Sequence, residues 1–285
     1  MRYLAPTTLE DAVQMLAEDP GECRVLAGGT DLLVRMRAGM TEPDSILDIK
    51  RIDALREITA EDGGWRIGAA VSGAVMNEHE GLCADWPGVV EAANLIGSTQ
   101  IQGRCTLAGN LCNASPAADS VPAMVAAGAV ARIAGPNGTR DVPVEDVPLA
   151  PGKTCLEQGE FVASIFLPRR GPRGGDAYLR FTPRTEMDIA VVGCAVSLTL
   201  DADGICTAAR VSLGAVAPTV ILVPQAAATL EGTRLDEPAL SALARTCSEA
   251  ASPIADKRGT VEFRTHVAGV LARRAAKIAH ERAGG

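Results

Sequence analysis

The chain has 285 residues, 47% of them hydrophobic, enough to bury one large core or two to three smaller ones. A formal net charge of −8 with no basic block argues against nucleic acid or an anionic membrane surface as partner, and no apolar run approaches the length of a membrane span. Aromatic residues make up only 3%, so a planar ligand would be held mainly by aliphatic side chains and backbone.

The opening MRYLAPTTLEDAV carries acids early and no apolar signal region, which predicts a cytoplasmic protein. Residues 7–18, TTLEDAVQMLAE, read as a capped amphipathic helix with Leu9, Val13 and Leu16 on one face and Glu10 and Asp11 in the first turn. A strand at 23–27, a helix at 31–38 and a strand at 45–50 (SILDIK) follow as a strand–helix–strand unit. Between the first two sits Gly28-Gly29-Thr30-Asp31. Such a turn leaves several N–H groups aimed at one spot with a helix's positive end behind them, a seat for phosphate or pyrophosphate. Thr30 or Asp31 is expected at the N-cap. The same glycines also suit a plain turn in which strand and helix pack closely, and both readings stand open here.

A strand at 65–71 (WRIGAAV) and helices around 72–79 and 87–97 come next. IQGRCTLAGNLCNASPAAD, 101–119, has no clear period and reads as one long irregular loop, with Ile101, Leu107 and Leu111 arguing against disorder. Thr106 to Asp119 offers hydroxyl, amide, backbone N–H and carboxylate groups that an acceptor-rich ligand such as a nucleotide can use. Asn and Ser there can equally satisfy the loop's own backbone. A helix at 119–128, a hairpin over 129–144 turning at Pro136-Asn137-Gly138, and a strand at 161–167 continue the chain. PRRGPRGG at 168–175 reads as a linker or exposed loop. Beyond it come a long apolar strand at 189–200, a turn at 201–204, a partner strand at 205–214, and helices at 236–250 and 260–281. Arg264, Arg273, Arg274 and Lys277 read as the solvated face of the last helix. The whole is α+β in about three lobes, the last an antiparallel sheet covered by helices.

Several motifs fail. G-x-G occurs nowhere, so the Rossmann fingerprint is absent. Gly152-Lys153-Thr154 lacks the first glycine of a phosphate loop, since position 147 is Val147, and reads as a chance loop. His79-Glu80 opens no H-E-x-x-H, G-x-S-x-G does not occur, and His266 and His280 read as surface residues. The eight cysteines (23, 83, 105, 112, 155, 194, 206 and 247) form no C-x-x-C, so they read as free thiols of a reducing compartment, without a zinc or iron–sulfur site.

Together, AGGTDLL at 27–33 and TLAGNLCNASPAADSVP at 106–122 resemble the FAD-binding medium subunit of the molybdenum hydroxylases, the family of xanthine dehydrogenases, aldehyde oxidoreductases and aerobic carbon monoxide dehydrogenases. The resemblance covers almost the whole chain, through PTTLEDA at 6–12, SILDIK, IGSTQI at 96–101, EFVASIFLP at 160–168, FTPRTEMDIAVVG at 181–193 and PIADKRGTVEFR at 253–264. It implies a vanillyl-alcohol-oxidase-type FAD-binding domain over 1–175, in lobes of about 1–55 and 56–175, and a C-terminal α+β domain over 176–285. It implies further that Ala27, Gly28, Gly29, Thr30, Asp31, Leu32 and Leu33 wrap the FAD pyrophosphate. Thr106, Gly109, Asn110, Asn113 and Asp119 would contribute from the second segment, with Gly97, Val162 and Arg180 as further flavin contacts and Ile189 packed near the isoalloxazine. Arg180 stands where a lysine is common. Two departures stand out. Ala108 replaces a glycine of the usual T-I-G-G-N, at a cost of about 1 kcal/mol if that backbone is left-handed, and Gln102-Gly103 replaces the more usual Arg-Asn.

The role implied is an FAD-carrying electron-transfer subunit. Substrate would be oxidised on a molybdopterin-binding large subunit, and a small subunit with two [2Fe–2S] clusters would relay electrons to the FAD for an external acceptor, in a dimer of heterotrimers. No catalytic residue, metal ligand or inserted cysteine-bearing loop is assigned to this chain. A free-standing FAD-dependent oxidoreductase acting on a small molecule, and a cofactor-free scaffold using both glycine segments as turns, are the alternatives.

Overall fold

The computed structural model describes residues 1–184 and 187–285; Thr185 and Glu186, within the 181–193 match, lie outside the described residues. The chain opens with β1 (Arg2–Leu4), α1 (Leu9–Glu18), β2 (Cys23–Leu26), α2 (Leu32–Arg37) and β3 (Ser45–Asp48). The three strands form a parallel sheet in the order β1-β3-β2. β3 is central because all four of its residues are buried. β1, which the hydropathy pattern does not announce, is fixed instead by polar bonds. The buried Asp19 carboxylate accepts from Arg2 Nη2 at 2.7 Å and from Ser45 Oγ at 2.6 Å, tying β1 to β3. α1 starts as read, with Thr8 Oγ1 accepting from the Asp11 amide at 3.1 Å and Leu16 turned inward.

Next come β4 (Ile58–Glu61), β5 (Gly64–Gly68), and the helices α3 (Gly73–Glu78), α4 (Glu80–Asp85), α5 (Pro87–Asn94), α6 (Thr99–Gln102), α7 (Leu107–Cys112) and α8 (Ser120–Ala126). β6 (Val130–Gly135), β7 (Gly138–Pro143), the short pair β8 (Pro148–Ala150) and β9 (Lys153–Thr154), and β10 (Phe161–Leu167) follow. β4-β5-β10-β6-β7 is an antiparallel sheet, and β10 in its middle carries an irregularity between Val162 and Ser164. The stretch at 101–119 is therefore not one irregular loop, as its lack of period implies, because α6 and α7 interrupt it. Both helices are too short to show a period, and α7 holds its place through buried Leu107, Ala108 and Leu111.

The last third is a four-stranded antiparallel sheet of β11 (Gly174–Phe181), β12 (Val192–Leu200), β13 (Cys206–Gly214) and β14 (Ile221–Leu222), with α9 (Pro224–Ala228), α10 (Glu237–Ala250) and α11 (Val261–Arg282). β11 begins inside the segment read as a linker. Its glycines mark close approach, not flexibility: a Cβ on Gly175 would fall 2.7 Å from the Ala283 amide of the α11 C-cap and nearer still to the Ala279 carbonyl. α11 also corrects the expected solvated face. Arg264 is buried at 4% exposure, its Nη1 donating to the carbonyls of Val191 at 2.8 Å and Ala215 at 3.2 Å. One hydrophobic cluster lies under the first two sheets and a second between the last sheet and its helices.

Candidate cofactor site

The turn after β2 is built on Gly28 and Gly29. Gly29 takes a left-handed φ of +79°, which glycine adopts without penalty. A Cβ on Gly28 would lie 2.8 Å from the Arg104 carbonyl carbon and 3.2 Å from Cys105 Cα, with the Arg104 oxygen closer than either. This glycine is what lets the first segment lie against the second. The contact is continued by a side-chain bond, Asn113 Nδ2 donating to Asp31 Oδ1 at 3.2 Å. Among the described residues, the amides of Gly28, Gly29, Thr30 and Asp31 donate to no protein acceptor. Asp31 holds the N-cap position of α2, but its side chain makes no cap bond because it faces Asn113.

On the opposite wall, Thr106 Oγ1 caps α7 by accepting from the Gly109 amide at 2.9 Å. Asn110 Oδ1 accepts from the Ser120 amide at 3.1 Å and from Ser120 Oγ at 2.7 Å, which fixes α7 against α8. Ala108 lies in the first turn of α7, outside the residues at positive φ, so alanine there carries no left-handed strain. Gln102 anchors the preceding loop by donating from Nε2 to the carbonyls of Asn94 at 2.9 Å and Ile96 at 2.7 Å.

The two walls enclose a cleft of about 800 Å³, within the size range of cofactor sites. Ala27, Gly28, Gly29, Thr30, Asp31, Leu32, Thr106, Gly109, Asn110, Asn113 and Val162 all line it. Leu33, Gly97, Asp119, Arg180 and Ile189 stand outside that lining. Leu33 points outward at 49% exposure, and Gly97 adjoins the lining residue Ile96. Asp119 and Arg180 form a buried pair, Nη1 to Oδ2 at 2.7 Å, with the Tyr178 hydroxyl donating to Asp119 Oδ1 at 3.4 Å. Burial raises the Asp119 carboxyl while Arg180 pulls it down, and burial pushes the Tyr178 phenol well above its usual range.

The sequence reading missed Cys23 to Val25 of β2, the Glu157–Phe161 segment, and Gly152 and Thr154, all of which line the cleft. The motif set aside as a chance loop therefore belongs to the wall, held there by Gly152, whose amide donates to the Ala114 carbonyl at 3.0 Å. Phe161 is the one aromatic residue of the lining among the described residues. Cys112 also lines the cleft, but burial pushes its thiol up to about 12, so it remains protonated and is no nucleophile at neutral pH.

The family described as FAD binding domain in molybdopterin dehydrogenase matches residues 1–170, and the one described as CO dehydrogenase flavoprotein C-terminal domain matches residues 177–279. The chain belongs to the FAD-binding medium subunits of the molybdenum hydroxylases. It is 33% identical over 285 residues to the xanthine dehydrogenase FAD-binding subunit of Escherichia coli O157:H7, covering 99% of this chain and 97% of that one. It is 33% identical over 281 residues to the carbon monoxide dehydrogenase medium chain of Afipia carboxidovorans, with the same coverage. The solved carbon monoxide dehydrogenase of Oligotropha carboxidovorans superposes with a TM-score of 0.94 at 33% identity, covering 99% of this chain and 98% of that one.

The cofactor of this medium subunit is FAD. The cleft fits it: unpartnered backbone amides at Gly28 to Asp31 suit a diphosphate, and the glycine cradle lets the main chain approach closely. Relatives that are subunits remove the free-standing flavin enzyme as an alternative, and membership of an FAD-binding family removes the cofactor-free scaffold. Among the described residues, no helix is long and apolar enough to cross a membrane.

Proposed function

We propose that this chain is the FAD-carrying electron-transfer subunit of a cytoplasmic molybdopterin and iron–sulfur hydroxylase, assembled with a molybdopterin-binding large subunit and a [2Fe–2S] small subunit as a dimer of heterotrimers. The observation that carries the reading is the convergence of two glycine segments, some eighty residues apart in sequence, on one cleft and their connection through Asn113 and Asp31. Bound there, FAD supplies the redox step, accepting electrons from iron–sulfur clusters and releasing them to an external acceptor. Within the Ala27–Leu33 turn the amides of Gly28 to Asp31 hold the diphosphate, with Ala27, Leu32 and Leu33 flanking them, and Thr106, Gly109, Asn110 and Asn113 shape the facing wall. Asp119, fixed by Arg180 and Tyr178, braces that wall from behind; Gly97, Val162, Arg180 and Ile189 serve the flavin end. We assign residues 1–175 to the FAD-binding domain, with lobes of about 1–55 and 56–175, and 176–285 to a C-terminal domain that closes against it.

Expression of the chain with its neighbouring reading frames tests the proposal. The expected product is a coloured complex containing FAD, molybdenum and iron. A chain that purifies alone, colourless and unable to take up FAD would overturn it.

A further inference from the structure

The stretch PIADKRGTVEFR at 253–264 has no residue in the cleft lining, yet it carries the buried Arg264. Burying a guanidinium is costly unless its donors are used. Here Nη1 and Nη2 are used on three segments, through Val191, Ala215 and Asp256, while Nε has no partner among the described residues. Arg264 Nη1 donates to the Val191 carbonyl at 2.8 Å, and Nη2 donates to Asp256 Oδ1 at 2.7 Å. Asp256 Oδ1 also accepts from the Arg258 amide at 2.8 Å, in a turn closed by reciprocal backbone bonds between Asp256 and Gly259. That turn sets Arg258 Nε 3.6 Å from Asp188 Oδ1, whose side chain is only 6% exposed. Asp188 Oδ1 in turn accepts from the Ile189 amide at 2.8 Å, and Arg184 Nε lies 3.5 Å from Asp188 Oδ2.

The segment so held runs from Met187 to Val191. At its far end the Val191 amide donates to the Phe181 carbonyl at 2.8 Å. At its near end the Met187 amide donates to the Gly97 carbonyl at 3.4 Å, beside Ile96 of the cleft wall. Met187 has a φ of +51°, a conformation that a side-chain-bearing residue keeps only where its surroundings enforce it. Ala190 and Val191 are buried and anchor one end of the segment, but Met187 and Ile189 remain 59% and 52% exposed, so apolar burial does not hold its outer end at this rim.

We propose that Arg264, Asp256 and Arg258 form a clamp that positions the Met187–Val191 segment at the Ile96–Gly97 rim of the cleft, where it shields the bound flavin from solvent. Arg258 and Arg264 are thus positioning residues, acting through Asp188 and Val191. The shielding rests on the FAD reading given above; the clamp itself rests on the bonds alone.

The test uses the full chain, with and without FAD, as wild type and as Arg258→Ala, Asp188→Ala and Arg258→Lys. Arg258 is partly exposed, so its variants avoid the folding risk of replacing Arg264. Hydrogen exchange of the peptide carrying residues 187–191 is expected to accelerate about tenfold in both alanine variants. Iodide quenching of flavin fluorescence should rise with it at unchanged FAD stoichiometry, and Arg258→Lys should restore both. Wild-type exchange and quenching in both alanine variants would overturn the clamp. Faster exchange with unchanged quenching would overturn the shielding. A wild-type chain that binds no FAD would defeat the underlying reading, while exchange on the apo chain would still judge the clamp.

Discussion

Replacing Gly28 by alanine separates a shaped cradle from an ordinary turn. The new Cβ would sit 2.8 Å from the Arg104 carbonyl carbon and 3.2 Å from Cys105 Cα, with the carbonyl oxygen nearer still. All three are backbone atoms of the facing segment, so no side chain can swing away. Relief requires the 27–31 turn and the 104–106 segment to part, and these are the two walls of the cleft. Overpacking of this kind costs about 1–3 kcal/mol. If the strain is released by opening the cleft, it appears as weaker FAD binding by roughly 5- to 150-fold. Gly39→Ala is the control: Gly39, unlike Gly28, has a positive φ, +66°, but a Cβ there meets nothing within 4 Å. Its cost of about 1 kcal/mol should fall on stability alone. Titrating FAD into the deflavinated proteins, followed by flavin fluorescence, reads both. Equal FAD affinity in Gly28→Ala and wild type would refute the argument that the two walls meet at this glycine.

Two further substitutions read other parts of the framework. Burial lifts the Asp176 carboxyl to about 6, against the pull of Arg170 Nη1 at 2.6 Å. The folded-state value lies above the unfolded one, so this group's stabilisation is fully present below about pH 4 and is lost as pH rises through about 6. A difference of about 2 units corresponds to about 3 kcal/mol. Asp176→Asn should remove that component, read as a flatter dependence of the urea midpoint between pH 4 and 7, and an unchanged dependence would count against it. Thr106→Val removes the hydroxyl that accepts from the Gly109 amide at 2.9 Å. A lost cap of about 1 kcal/mol should lower Tm by about 2–4 °C, and an unchanged Tm would show that α7 does not depend on it.

Much of this architecture is legible in the residues themselves. Thr8 with Glu10 and Asp11 announces α1, and Pro136-Asn137-Gly138 announces the β6–β7 hairpin, because caps and turns act over a few positions. Gly28-Gly29 marks a turn, and the turn does line the cleft. What partners it is not legible by local rules. Asn113 and Asp31 are 82 positions apart, and only the resemblance joins their segments. The β11 strand is hidden for a different reason. Gly174 and Gly175 read as loop residues locally, whereas they admit the close approach of α11 and of the neighbouring loop. Arg264 fails similarly: its spacing on α11 fits a solvated stripe, and only acceptors distant in sequence, at Val191 and Ala215, together with Asp256, turn that arginine inward. Long-range closeness decides all three, and a local pattern carries no information about it.

The near absence of ring systems around the cleft has an optical consequence. Electron-rich indole and phenol groups darken flavins by donating an electron to the excited ring, and among the described lining residues there is neither, Phe161 being the one aromatic. Loaded with FAD apart from its iron–sulfur partner, the chain should therefore glow green under blue light, a native reporter of its own loading that needs no attached dye.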